Sequence, residues 1–167
     1  MRRLWTAFER GATIADRRGA TVVMEWPKRC DYWKDKQVVR YLAEHGYSTA
    51  SVHGCAVGLT SVCKATKGRL VKKEWQLATN KAEIARRLEK RCPGGHQCVP
   101  VLNQDTKASE NYSVQFALHV REAIRAQTQE TVVSVPVGGA VVTTGLKVPD
   151  HVLYARSGRG TTGGACR

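Results

Sequence analysis

The stretch that most constrains the fold is Thr21-Val22-Val23-Met24-Glu25-Trp26-Pro27. Apolar and β-branched residues run straight into an acid, an aromatic and a proline. A short continuous apolar run closed by a breaker predicts a strand buried on both faces, the kind a parallel sheet provides. Glu25 then falls at the carboxyl end of that strand, where open α/β sheets hold their ligands. The plainer alternative is a carboxylate that solvates the strand end.

Upstream, Leu4, Phe8, Ala12 and Ala15 keep the spacing of one helical face, with Arg2, Arg3, Glu9, Arg10, Arg17 and Arg18 on the polar side and Gly19 placed to end the helix. Downstream, Asp31 or Asp35 can cap a helix whose inward face is Val38, Val39 and Leu42, closed by His45-Gly46. A second strand runs from Ser48 to His53, and Gly54 and Gly58 bound a tight bend. Leu59–Cys63 and Arg69–Thr79 flank a polar turn ending in Gly68, which predicts a β-hairpin. Asn80-Lys81-Ala82-Glu83 has capping-box spacing ahead of Ile84, Ala85 and Leu88. An irregular stretch then leads to a helix from about Tyr112 to Gln127, with Val114, Leu118, Arg121 and Ile124 marking a face of mixed character. The order predicts an α/β chain: a partial Rossmann-like, three-layer sheet with flanking helices and a β-hairpin over 1–127, and a poorly packed extension over 128–167 that is disordered at its end.

The 167 residues carry a formal net charge of +13, most of it before Gln127. That balance favours polyanionic partners, nucleic acid first. Arg69, Lys72, Lys73, Arg86, Arg87 and Lys90 are the expected phosphate contacts, with Trp75 interleaved to stack on a base. A solvated edge strand has the same composition. No stretch is apolar for long enough to span a bilayer, and no secretory signal core is visible, so the expected compartment is cytoplasmic or nuclear.

Six cysteines in such a chain read as thiols or metal ligands. Cys92, His96 and Cys98 place three zinc-type ligands within seven residues, behind a Pro-Gly-Gly turn. Zinc needs a fourth, and Cys30, Cys55 and His53 are the candidates. The alternative is free thiols beside a surface histidine. A nucleophilic Cys55 beside His53 is a weaker reading, because neighbours in sequence need not touch. No glycine-rich phosphate loop is present, and no cofactor other than zinc is expected.

Two resemblances follow from the order of motifs. The run from Glu25 to the Lys72-Lys73-x-Trp75 arm resembles the later half of the catalytic domain of DNA cytosine-5 methyltransferases, sharing the strand-end glutamate but lacking the Gln-x-Arg-x-Arg motif. Glu25-Trp-Pro27, Cys30–Trp33, Gly54–Leu59, Lys72–Asn80, Cys92–His96 and Asp105–Tyr112 together resemble a domain carried by protist retroelement polyproteins; Cys98 stands where that domain more often has histidine. The resemblance implies a retroelement-derived, methyltransferase-like remnant that binds nucleic acid, with Glu25 as the base contact. The cofactor glycines and the Pro-Cys nucleophile of a methyltransferase are missing, so the isolated chain is not expected to be a complete enzyme. The rivals are half of a split enzyme needing a partner chain, and a zinc-stabilised interaction module.

Overall fold

The computed structural model describes residues 2–102, 104–130 and the short segments 136–137 and 140–141. Helix α1 (Arg2–Arg17) leads into strand β1 (Val23–Pro27). A 3-10 turn at Asp31–Lys34 precedes α2 (Lys36–Glu44), and strand β2 (Ser48–His53) runs into a second 3-10 turn at Gly54–Val57. Then come β3 (Val71–Lys72), β4 (Glu74–Thr79), α3 (Ala82–Leu88), β5 (Val99–Pro100), α4 (Gln104–Ala108) and α5 (Val114–Glu130). Residues 136–137 and 140–141 pair as a short antiparallel ladder. The expectation of a disordered tail falls mostly outside the described residues.

The main sheet has the order β1-β4-β2, and both pairings are antiparallel. This corrects the parallel strand expected for Thr21–Pro27. Nor is the strand buried on both faces: β1 is an edge strand paired on one side only, and within it Met24 alone is buried, with Val23, Glu25 and Trp26 partly so and Pro27 exposed. Glu25 consequently sits in mid-ladder opposite Leu77, not at a strand end. The one parallel ladder among the described residues is the two-residue pair β3–β5. The architecture is mixed α/β, with a small antiparallel sheet between helices.

Alternation along the strands divides the interior in two. On one face Trp75, Leu77, Val52 and Ala50 pack with Ile84, Ala85 and Leu88 of α3 and Phe116, Val120 and Ala123 of α5. On the other, Ala12, Ala15, Val22 and Tyr41 form a second cluster with Trp5 and Phe8. Val23 packs against the first cluster, whereas Trp26 reaches Trp5 on the other side.

Several local expectations hold, and others are displaced by tertiary contacts. Gly19 and Gly46 adopt the left-handed conformation after α1 and α2, and Asp35 caps α2 by accepting from the Gln37 N–H. The hairpin closes as a loop: the Ser61 N–H donates to Arg69 O, the Gly68 N–H to Ser61 O and the Val71 N–H to Leu59 O. Asn80, however, does not cap α3. Its Oδ1 accepts the Val22 N–H at 2.9 Å and its Nδ2 donates to Asp16 and to Ala20 O, pinning the end of β4 to the start of β1. In α2 Tyr41 turns inward while Val39 is 50% exposed. In α5 the inward stripe is Phe116, Val120 and Ala123, leaving Val114 69% exposed.

Trp75, 1% exposed and flanked by Tyr112 and Phe116, is the largest side chain of the core. Trp75→Ala should cost about 3–5 kcal/mol of stability, since the rings around it cannot collapse into so large a void. Urea unfolding measures it, and a loss below about 1 kcal/mol would contradict this packing.

Candidate metal centre

Cys55 lies in the 3-10 turn that ends β2, held by backbone: the Gly54 N–H donates to Lys73 O at 2.6 Å and the Leu59 N–H to Gly54 O at 2.8 Å. A Cβ at Gly54 would stand 2.8 Å from Leu59 Cδ2 and 3.3 Å from the Lys73 carbonyl oxygen, so any larger residue would have to displace the buried Leu59 side chain and crowd the Lys73 backbone. The loop after α3 is drawn to the same place. The Lys90 N–H donates to Ser51 O and the His53 N–H to Lys90 O, continuing the edge of β2 by one bridge. From there Cys92-Pro93-Gly94-Gly95-His96-Gln97-Cys98 curls back, with Gly94 and Gly95 both at positive φ.

The result is one cluster: Cys55, Cys92, His96 and Cys98, whose ligand atoms all lie within 4.8 Å of one another. Cys92 Sγ stands 3.5 Å from His96 Nε2. Zn–S near 2.3 Å and Zn–N near 2.0 Å at a tetrahedral angle require an S···N edge of about 3.5 Å, so this pair already has the needed separation. The donor set is Cys3His, complete at four, which is the make-up of a structural site with no position left open. Of the three residues considered for the fourth ligand, Cys55 is the one that lies in the cluster. His53 instead accepts the Cys92 N–H on Nδ1 at 3.0 Å, and Cys30 lies outside the cluster, buried after β1.

The thiols differ in character. Burial, reinforced by the neighbouring Cys92 and Cys98, pushes the Cys55 thiol up to about 12. The Gly94 N–H directed at its sulfur, together with the Cys55 thiol, holds Cys92 below the ordinary range. A metal ion would displace the protons from all three sulfurs, coupling its binding to folding of the loop.

The expected nucleic-acid residues divide. Arg69, Lys72 and Lys90 are exposed around the metal loop, and Arg69 donates to Gln97 Oε1 between the last two ligands. Arg86 and Arg87 lie on α3 and pair with Glu83. Lys73 is turned inward: its ammonium donates to Ser109 O at 3.1 Å and Ser109 Oγ at 2.9 Å and lies over the Trp75 ring. Trp75, being buried, cannot stack on a base, which corrects its assignment; alternation along β4 puts it beside Leu77 in the core. Sequence reasoning placed Asp105 at the head of a motif but gave it no role. It is 3% exposed, takes the Ser61 hydroxyl on both oxygens and the Val62 N–H at 2.7 Å, and is held below the ordinary carboxylate range by the Val62 and Ser61 hydrogen bonds despite its burial.

Glu25 accepts a hydrogen bond from the Tyr112 hydroxyl and faces Lys73. Burial raises its carboxyl above the ordinary value, outweighing Tyr112 and Lys73, which both favour the charged form. The arrangement ties β1 to the start of α5 and turns the carboxyl away from the role of an exposed base contact.

No family model, curated protein or solved structure matches the chain.

A raised carboxylate pKa means that the folded state holds its proton more firmly than the unfolded state. Its contribution is fully present below the unfolded value, near 4.3, and is lost as pH rises through the folded one. Melting midpoints of wild type and Glu25→Gln should therefore separate with pH, wild type losing ground to the variant above the ordinary glutamate range. Parallel curves across that range would contradict the raised value.

Proposed function

We propose that this chain is a zinc-stabilised α/β binding module whose partner is nucleic acid. The observation that carries the reading is the convergence of Cys55 with Cys92, His96 and Cys98 into a closed four-ligand set. Zinc there is structural: it fixes a loop that otherwise has little ladder or core of its own. The metal loop in turn displays cations. Arg69, Lys72 and Lys90 are exposed about it, and the whole chain carries +13. Such a rim neutralises phosphates and releases counterions, so affinity falls steeply with salt and depends little on sequence.

The motif order supports an origin in the retroelement domain that the sequence resembles, and that origin belongs to the same proposal. A methyltransferase-like remnant is the finer form of it. The feature that speaks for it is Glu25 followed by the β2–bend–hairpin succession; the antiparallel β1–β4–β2 pairing lends a Rossmann-like sheet no support.

The test has two arms. Chelation of the purified protein should lower the melting midpoint, and Cys92→Ser should start from that lowered value and respond no further to chelator. Labelled nucleic acid titrated at two salt concentrations should bind at the lower and lose affinity at the higher, with Lys72→Glu/Lys90→Glu weaker than wild type. Indifference to chelator would remove the metal; absence of binding at low salt would remove the partner.

A further inference from the structure

Three strands reach one end of the sheet together. β1 leaves at Pro27, β4 enters at Glu74 and β2 leaves at His53, in register Pro27↔Trp75 and His53↔Glu74. Beyond β1 at that end stands an aromatic group, and beyond β2 stands the cationic metal loop. Side chains bridge the interval. Lys28 pairs with Glu74 at 3.1 Å, and Glu74 is held below the ordinary carboxylate range first by that hydrogen bond, with His53 and Lys72 adding to it. Glu89 accepts the Ser51 N–H and pairs with Arg91, and it too feels Lys28. Of the acids at this end, Glu74, Glu89 and Asp31 pair with Lys28, Arg91 and Lys34, and Asp35 accepts the Gln37 N–H as the cap of α2, while Arg29, Lys72 and Lys90 are exposed and make no ion pair among the described residues.

The aromatic group is built outward. Trp26, Tyr32 and Trp33 are each only partly buried, and the 3-10 turn carrying the last two buries none of its residues. The rings brace one another: Trp26 to Tyr32 with centroids 5.1 Å apart, Trp26 to Trp33 at 4.9 Å and 66°. Trp33 Nε1 donates to Pro27 O at 3.1 Å, fixing the indole plane against the strand end. Such a pre-set aromatic surface at a cationic edge loses little entropy when a flat partner settles on it.

We infer that this end of the sheet is a binding track for single-stranded nucleic acid, in which unpaired bases stack on Trp33 and Tyr32 while the backbone runs across the strand ends to Lys72 and Lys90. The inference rests on the nucleic-acid reading above and narrows it to strands with unstacked bases. The aromatic edge and the metal loop are separated by the width of a three-stranded sheet, about 10 Å. Charge complementarity selects the occupant: the cations left over beside the rings suit a polyanion with π-faces, and a duplex hides those faces.

The test uses the full chain with a labelled single strand of mixed pyrimidines, as DNA and as RNA, and a hairpin duplex of equal charge. Wild type should prefer the single strands, and its tryptophan emission should change on binding them. Trp33→Ala should weaken single-strand binding about 5- to 100-fold with little effect on the duplex, and Trp33→Phe should restore most of it. Tyr32→Ala serves as a second variant should Trp33→Ala melt early. Equal single-strand affinity for wild type and both alanine variants, or a preference of wild type for the duplex, overturns the stacking track while leaving phosphate binding by the metal-loop rim intact. Failure of wild type to bind any strand at low salt overturns the parent reading instead.

Discussion

The structure depends on β4 lying between β1 and β2. Among the described strands it alone is paired on both sides, and it carries Trp75, Leu77, Ala78 and Thr79, all buried. Its antiparallel position fixes which termini share an end of the sheet. The close of β1, the bend after β2 and the start of β4 meet there, and the metal loop and aromatic turn are grafted onto that meeting point. Had the strands run parallel, Pro27 and His53 would have been carried to the same end as the far terminus of β4. Neither Lys28 with Glu74 nor Cys55 with the loop after α3 would then have been neighbours.

The motifs that stand out in the chain acquire physical meaning from this arrangement. Glu25 of the first meets Tyr112 of the last, and Lys73 reaches Ser109. Asp105 satisfies Ser61 and Val62, Asn80 ties Asp16 and Val22, and Gly54 allows the backbone approach that delivers Cys55 to Cys92 and His96. Most of these contacts hold one element against another rather than presenting groups to a substrate. In the module proposed above, these residues set the shape, and the proposed binding is left to the cations and aromatics of the rim.

Much of the element order was legible from the sequence. The helix of Arg2–Arg17, the glycine stops, the second strand and the buried stripe Ile84–Leu88 all follow from short-range spacing. Strand direction was not legible, because a short apolar run has the same composition in a parallel centre and at a half-buried antiparallel edge. On α5 the spacing marked a mixed face, of which Ile124 packs against the core; Phe116 and Val120 keep the same helical spacing, and only packing against α3 and Trp75 selects them as the buried stripe. Asn80 was assigned to a cap by local pattern, yet a long-range carbonyl and amide claimed it first. In the site, Cys92, His96 and Cys98 were visible as a local cluster. The fourth ligand lay thirty-odd residues upstream and could be narrowed only to Cys30, Cys55 or His53, since choosing among them needs the bridge between Val52 and Lys90. The partial exposure of Tyr32 and Trp33, on which their proposed role rests, was not legible in the sequence, nor was the burial that takes Trp75 out of such a role.

The central claim is that the fold brings three thiolates and one imidazole together around one tetrahedral ion. Cobalt(II), which takes zinc's place in such sites and has a d-electron spectrum, reads the ligand set directly. Titrated into metal-free protein, it should saturate at one equivalent with intense visible bands of tetrahedral geometry and a sulfur-to-cobalt charge-transfer band that weakens in Cys55→Ser. A spectrum as faint as that of the hydrated ion, or one unchanged by Cys55→Ser, would contradict the account.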